Sequence, residues 1–196
     1  TLIHNQNNIG STCFLKGLDV AKGEFFQLCD SDDWIEADMA ESLYNAATNN
    51  NADIATSPFY INQGNSQSII HFSNPNLVGD INKVPNDVLH FSLCNKIIRR
   101  SIITDNSIYC TEGVDCWEDL AISARAIALA NKVIAVDKPF YHYRKTGHSI
   151  TASRHKRILN DHLHYANLLD TWFADRGETF YQKHAEFLSR LKFIAK

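Results

Sequence analysis

The chain has 196 residues, 44% of them hydrophobic, with a formal charge of -3 and a pI of about 6.3. That length and apolar content suit one well-packed globular body. No run of lysine and arginine is long enough to track a phosphate backbone, so nucleic acid is not an expected partner. The longest apolar runs fall far short of the ~18 residues of a membrane span, and no signal-peptide pattern opens the chain. Five cysteines, Cys13, Cys29, Cys94, Cys110 and Cys116, form no CxxC pair, which suits a reducing compartment. A cytoplasmic location is expected, with peripheral contact at the inner face of a membrane.

In chain order, Thr1 to His4 predict a short strand, and NQNNIG, ending in Gly10, predicts a turn. Phe14, Leu15, Leu18 and Ala21 recur at helical spacing between Thr12 and Ala21, with Gly23 as a stop signal. A strand is expected over Glu24 to Cys29, and after Trp34 a helix that places Met39, Leu43 and Ala46 on one face. DIATSPFYI reads as a strand, and the turn residues NQGNSQS before SIIHF predict a hairpin. Ser73 to Val88 shows no clean period and reads as a loop-rich connection. Lys96 to Arg99 predict a short helix or turn, with SIYC extended after it.

Leu120, Ala124, Ile127 and Ala128 then repeat as a helix whose first turn holds Glu118 and Asp119. KVIAV and FYHY predict strands around the Lys138-Pro139 turn. Ile158, His162, Tyr165, Leu169 and Trp172 outline one amphipathic helix, and Phe180, His184, Phe187, Leu191 and Ile194 a second. The pattern is α/β: a mixed sheet flanked by helices over 1–152, then a C-terminal helical hairpin over 153–196.

Two acidic groups stand out. In FFQLCDSDDW, Asp30, Asp32 and Asp33 crowd the end of a strand, where like charges cost stability unless a cation sits among them. Hard oxygen ligands of this kind suit Mg²⁺ or Mn²⁺, which complete their shells with water and phosphate. The plainer alternative is that Asp32 or Asp33 caps the following helix. Glu118 and Asp119 at a helix start either serve as capping acids or place an ionised carboxylate where it can take a proton from a hydroxyl. Among nine histidines no HxH or HExxH spacing occurs, leaving His142 and His148 as the two worth following. G-x-S-x-G, Walker and GxGxxG motifs are absent, which narrows the chemistry to metal and carboxylate.

The order of the pieces resembles that of family 2 glycosyltransferases of the GT-A fold. Their central block runs from an Asn-x-Gly turn through a helix ending Ala-x-Gly-Glu-Tyr to Asp-x-Asp-Asp-Trp; here Asn8, Gly10, Gly17, Ala21, Gly23, Glu24 and Asp30 to Trp34 match. CNKIIRRSIITDN is similar to the family's Lys-Leu-Tyr-Arg-Arg segment, WEDL to its Glu-Asp motif, and KPFYHYRKTGHSIT to its Pro-Leu-Tyr-x-Tyr-Arg and Ser-Ile-Thr segment. The resemblance implies transfer of a sugar from a nucleotide-sugar donor, UDP-linked, to a hydroxyl of a glycan or lipid-linked acceptor in surface glycan or polysaccharide synthesis, with inversion. By position in the motifs, Asp32 would bind a Mn²⁺ or Mg²⁺ ion at the donor diphosphate, Asp30 would contact ribose or metal, and Asp33 would support them. Asp119 would be the general base and Glu118 would orient it or contact the acceptor; Arg144 would reach the diphosphate from a loop ending near Ser149.

Two departures matter. Cys13, Phe14 and Leu15 stand where the family commonly has Ala-Arg-Asn, and the family's first strands, with Pro-x-Tyr-Asn and Asp-Gly-Ser, have no counterpart. The expectation is therefore a GT-A sheet truncated at its N-terminus, a fragment of a longer product or a chain that pairs as a homodimer through the exposed edge. The alternative function is a non-catalytic sugar- or nucleotide-binding or assembly module. Trp34 and Trp117 either stack on a sugar ring or belong to the core.

Overall fold

A computed structural model describes residues 2–4, 13–71, 91–111, 114, 116–146, 155–186 and 188–189, the side chains of 155–157 excepted. The expectations for Thr1, Asn8, Gly10, Thr12, Ser73 to Val88, His148, Ser149, Phe187, Leu191 and Ile194 lie outside the described residues.

Helix α1 (Cys13–Val20) leads to strand β1 (Phe25–Gln27), the acidic turn, β2 (Trp34–Ile35) and helix α2 (Met39–Asn49). Strands β3 (Ile54–Thr56), β4 (Phe59–Gln63) and β5 (Ser66–Ile70) follow, then β6 (Lys96–Arg99), α3 (Arg100–Thr104) and α4 (Glu118–Leu129). Strands β7 (Val133–Ala135) and β8 (Tyr141–Arg144) precede α5 (His155–Ala174) and α6 (Glu178–Lys183). The strands form two four-stranded sheets, ordered β1-β6-β3-β7 and β2-β8-β4-β5.

Two proline links carry the chain from one sheet to the other. DIATSPFYI is not one strand: it breaks at Ser57-Pro58, so that β3 pairs in the first sheet and β4 in the second, and β7 and β8 divide likewise around Pro139. Proline has no N–H for a ladder and holds φ near -65°, which suits such a crossing. The two crossings run side by side, since β3 pairs parallel with β7 and β4 parallel with β8. The expected hairpin is present, with Gln63 opposite Ser66 and Gly64 at φ 57° supplying the positive φ that a two-residue loop needs.

Alternation along the first sheet divides the core. Ile54 and Ile98 face a cluster containing Leu120, Ile127, Leu169 and Phe173, from α4 and α5. Their neighbours Ala55 and Ile97 face a second cluster with Met39, Leu43 and Ala47 of α2. That two-sided demand explains the first correction: Lys96–Arg99 is a strand, paired antiparallel with both β1 and β3, and not a helix or turn. A short apolar run flanked by charges carries no period that separates the two possibilities. A second correction concerns Leu2 to His4, which are exposed and join no described strand. Ile108 to Cys110 likewise join none. No helix among the described residues is long and apolar enough to cross a membrane.

Asp53 ties three elements at the start of β3. Its Oδ1 accepts from Arg99 Nε at 2.8 Å, and its Oδ2 accepts from the backbone N–H and side-chain amide of Asn131 at 2.8 and 3.1 Å. Asp53→Ala leaves those donors unmatched and is expected to lower stability by about 2 kcal/mol. Asp53→Asn, which keeps one acceptor oxygen, is expected to lose less. Urea melts in which the two variants match the wild type would contradict this account of the sheet junction.

Candidate active site

The acidic turn begins where β1 leaves the sheet. Asp33 N–H donates to the Asp30 carbonyl at 3.2 Å, closing the turn and sending the chain into β2, where Trp34 pairs with His142 and Ile35 with Tyr141 of β8. The three aspartates then separate in role. Asp33 is a clasp: Oδ2 accepts from the Tyr141 hydroxyl at 2.6 Å and Oδ1 from the Arg144 backbone N–H at 2.7 Å. Asp30 N–H donates to the same Tyr141 oxygen at 3.2 Å, and Asp30 Oδ2 accepts from Cys94 Sγ at 3.2 Å. Asp32 is exposed and makes no hydrogen bond among the described residues. Neither Asp32 nor Asp33 caps α2, whose N-terminal flanking residue is Asp38.

Loss of water contact raises the Asp30 carboxyl above its ordinary range; the Cys94 hydrogen bond opposes this, and the charges of Asp33 and Asp32 add to it. That repulsion is what a cation would relieve. Among the described residues no three His, Cys, Asp or Glu side chains gather as a closed metal shell. Two hard carboxylates beside open solvent suit an ion that draws its remaining ligands from water and phosphate, as Mg²⁺ does.

The second acidic pair is placed by an unusual helix start. Trp117, just before α4, has φ 72° and ψ 9°, a left-handed conformation rarely taken by a bulky residue. Three contacts with α5 hold it there. Trp117 Nε1 donates to the Ile158 carbonyl at 3.1 Å, its ring lies 4.6 Å from that of His162, and Asp161 Oδ2 accepts the Cys116 N–H at 3.2 Å. Asp119 does not cap its own helix; Oδ2 accepts the Leu93 N–H at 3.2 Å, from the segment entering β6. Burial pushes its carboxyl up to about 6, with the Leu93 bond and the Lys96 charge pulling down and Asp30 pushing up.

Asp30 and the distant pair Glu118 and Asp119 line one cleft of about 520 Å³. Its walls include Phe59, Ile61, Ile70, Trp117, Tyr143 and Ile158. Tyr141 and Tyr143 reach it because residues two apart on β8 share a face. Asp32, Asp33 and Arg144 are not in the lining; the Arg144 guanidinium lies over the Trp34 ring at 5.5 Å. Trp34 in turn stacks on His142 at 4.8 Å, and His142 on Tyr60 at 4.4 Å, so Trp34 and His142 build an aromatic ladder across the strands. His142 Nε2 also lies 2.9 Å from Glu36 Oε1.

Sequence reasoning passed over Lys96, Cys94 and Tyr141. Lys96 is 1% exposed, its ammonium donating to the Ser92 carbonyl and, at 2.8 Å, to Asn95 Oδ1. Burial lowers it to about 8 against the pull of Asp119. Burial and the neighbouring Asp30 raise the Cys94 thiol, and burial raises the Tyr141 phenol, so both are neutral donors. The tyrosine spacing was a usable signal; nothing in CNKIIRR told which of its cations turns inward.

The sequence profile described as Glycosyl transferase family 2 matches residues 1–106, ending before Glu118 and Asp119. The cholesterol galactosyltransferase of Borreliella burgdorferi is 34% identical over 158 residues, 71% of this chain and 43% of its own length. The chain spans 43% to 49% of the curated relatives it matches. Among solved structures, TarS of S. aureus superposes with a TM-score of 0.67 at 21% identity, covering 89% of this chain and 30% of TarS. TarS 1-349 in complex with UDP-GlcNAc gives 0.62 at 20% identity, covering 88% of this chain and 52% of that one. These likenesses show the fold, a GT-A mixed sheet flanked by helices with the helical pair α5 and α6 at its end. With more than half of its length matched by the profile, the chain belongs to glycosyl transferase family 2.

Proposed function

We propose that this chain carries the donor-diphosphate and base-bearing part of a transferase that moves a sugar from a UDP-linked donor to an acceptor hydroxyl, with inversion. The observation that carries the reading is the cleft shared by Asp30 of the acidic turn and Asp119 of α4. In it, Asp119 accepts the acceptor's proton as the acceptor oxygen bonds to the anomeric carbon. The bond from that carbon to the diphosphate oxygen breaks on the opposite face, and its electron pair leaves with the nucleoside diphosphate. Glu118, beside it, orients the acceptor.

Asp32 and Asp30 would hold a Mn²⁺ or Mg²⁺ ion, which when bound offsets the charge that develops on the leaving diphosphate. Asp33 keeps the turn fixed to β8. For the donor, the TarS complex with UDP-GlcNAc supports a UDP-linked sugar. For the acceptor, apolar walls at Phe59, Ile61, Ile70 and Ile158 favour a lipid-linked molecule over a bare glycan. A relative named for galactosyl transfer to cholesterol supports the same choice. Such an acceptor would put the reaction at the inner face of a membrane, within surface glycan synthesis.

Calorimetry with UDP tests the donor site. Binding should require Mn²⁺ or Mg²⁺ and weaken at least about tenfold in Asp32→Ala, equivalent to about 1.4 kcal/mol. Binding that ignores the metal, or a variant that binds like the wild type, would remove the metal role from this turn.

Thermal melts test the state of Asp119. A carboxyl raised in the fold makes its stabilising contribution at low pH and loses it as pH rises through about 6. Asp119→Asn should therefore lose ground relative to the wild type, by on the order of 1 kcal/mol, when pH falls from 7.5 to 5. A stability difference independent of pH would show a carboxylate that folding leaves unperturbed.

A further inference from the structure

A buried ammonium must be compensated, and Lys96 has more than neutral oxygens near it. Its strand places it in register with Thr56, on the face of the first sheet that also bears Ile98 and looks toward α4. Its position is fixed by Asn95, whose Nδ2 donates to the Ser57 carbonyl at 2.9 Å and whose own carbonyl accepts the Ser57 N–H at 3.0 Å. The decisive feature is one peptide unit. The carbonyl of Ser92 accepts from the Lys96 ammonium, and the N–H across the same peptide bond, that of Leu93, donates to Asp119 Oδ2 at 3.2 Å. A cation at a peptide's oxygen end polarises the amide and strengthens the donor at its other end.

The groups facing Asp119 make that cation matter. Asp30 from the acidic turn and Glu118 from α4 are acids, and the Cys94 thiol and Tyr141 phenol are neutral. Lost hydration and the Asp30 charge both work against an ionised Asp119 in this cleft, while Lys96 works for it.

We propose that Lys96 is a positioning residue for the base: through the Ser92–Leu93 peptide unit, its ammonium fixes the Asp119 carboxylate and keeps it ionised in the cleft. The inference rests on the reading of Asp119 as base. A buried Lys96 would then be part of the reaction machinery without touching either substrate.

The test is a carbon-13 NMR titration of the Asp119 carboxyl in the wild type and in Lys96→Met, assigned with Asp119→Asn, with Mn²⁺-dependent UDP binding as the check on folding. The expected result is a midpoint about one pH unit higher in Lys96→Met. UDP affinity should stay unchanged. A midpoint unmoved in a variant that still binds UDP overturns the inference. Should Lys96→Met fail to fold, the wild type decides: the Leu93 amide proton and the Lys96 ammonium signal should both shift at the Asp119 midpoint, and independent titrations overturn the relay. Release of UDP from UDP-sugars by Asp119→Asn at the wild-type rate would instead overturn the base reading, so the two failures are separable.

Discussion

A carboxylate drawn out of water at the start of α4 is the constraint around which the site is organised. An ionised acid in an apolar wall is costly unless something answers its charge. The Leu93 N–H and the start of the helix do so directly. The left-handed Trp117 turns the chain into α4 at the angle that exposes Glu118 and Asp119 to the cleft, and α5 holds that turn through Asp161, Ile158 and His162. The C-terminal helices are thus part of the site's support: Leu169 and Phe173 share a core with Ile54 and Leu120.

The opposite wall follows from Tyr141. It is 2% exposed, and its hydroxyl meets both the Asp30 N–H and the Asp33 carboxylate, so one side chain of the second sheet sets the shape of the turn leaving the first. Three adjacent acids consequently do three things. Asp33 is spent on structure, Asp30 faces the cleft, and Asp32 stands in solvent. The distribution concentrates negative charge where a divalent cation carrying a diphosphate would sit, beside the apolar walls of Phe59, Ile61 and Ile70.

Much of this was legible in the chain. Helical periodicity located α1, α2, α4 and α5, even though α4 is buried all round from Leu120 to Ala128, and runs of β-formers with turn residues located β4, β5, β7 and β8. What failed was β6, a central strand whose two faces serve two cores and so carry no alternation. The proline break between β3 and β4 could be seen but not its meaning, since only pairing reveals that the chain changes sheets there. For the candidate site, the acids were singled out by crowding and motif order. Lys96 was not, because what singles it out is its burial, and burial belongs to the folded state. The contact of Arg144 with the Trp34 ring is an arrangement that sequence spacing does not encode.

The most direct measurement is the rate of UDP release from UDP-sugars by the wild type and Asp119→Asn between pH 5 and 8.5, with Mn²⁺ present. The account predicts a wild-type rate that climbs through pH about 6, as the raised Asp119 carboxyl ionises. It also predicts a variant slower by a factor within the 10²–10⁴ that a lost general base costs, roughly, with UDP affinity retained. A flat profile, or a variant turning over at the wild-type rate, would contradict it and return the cleft to a binding role.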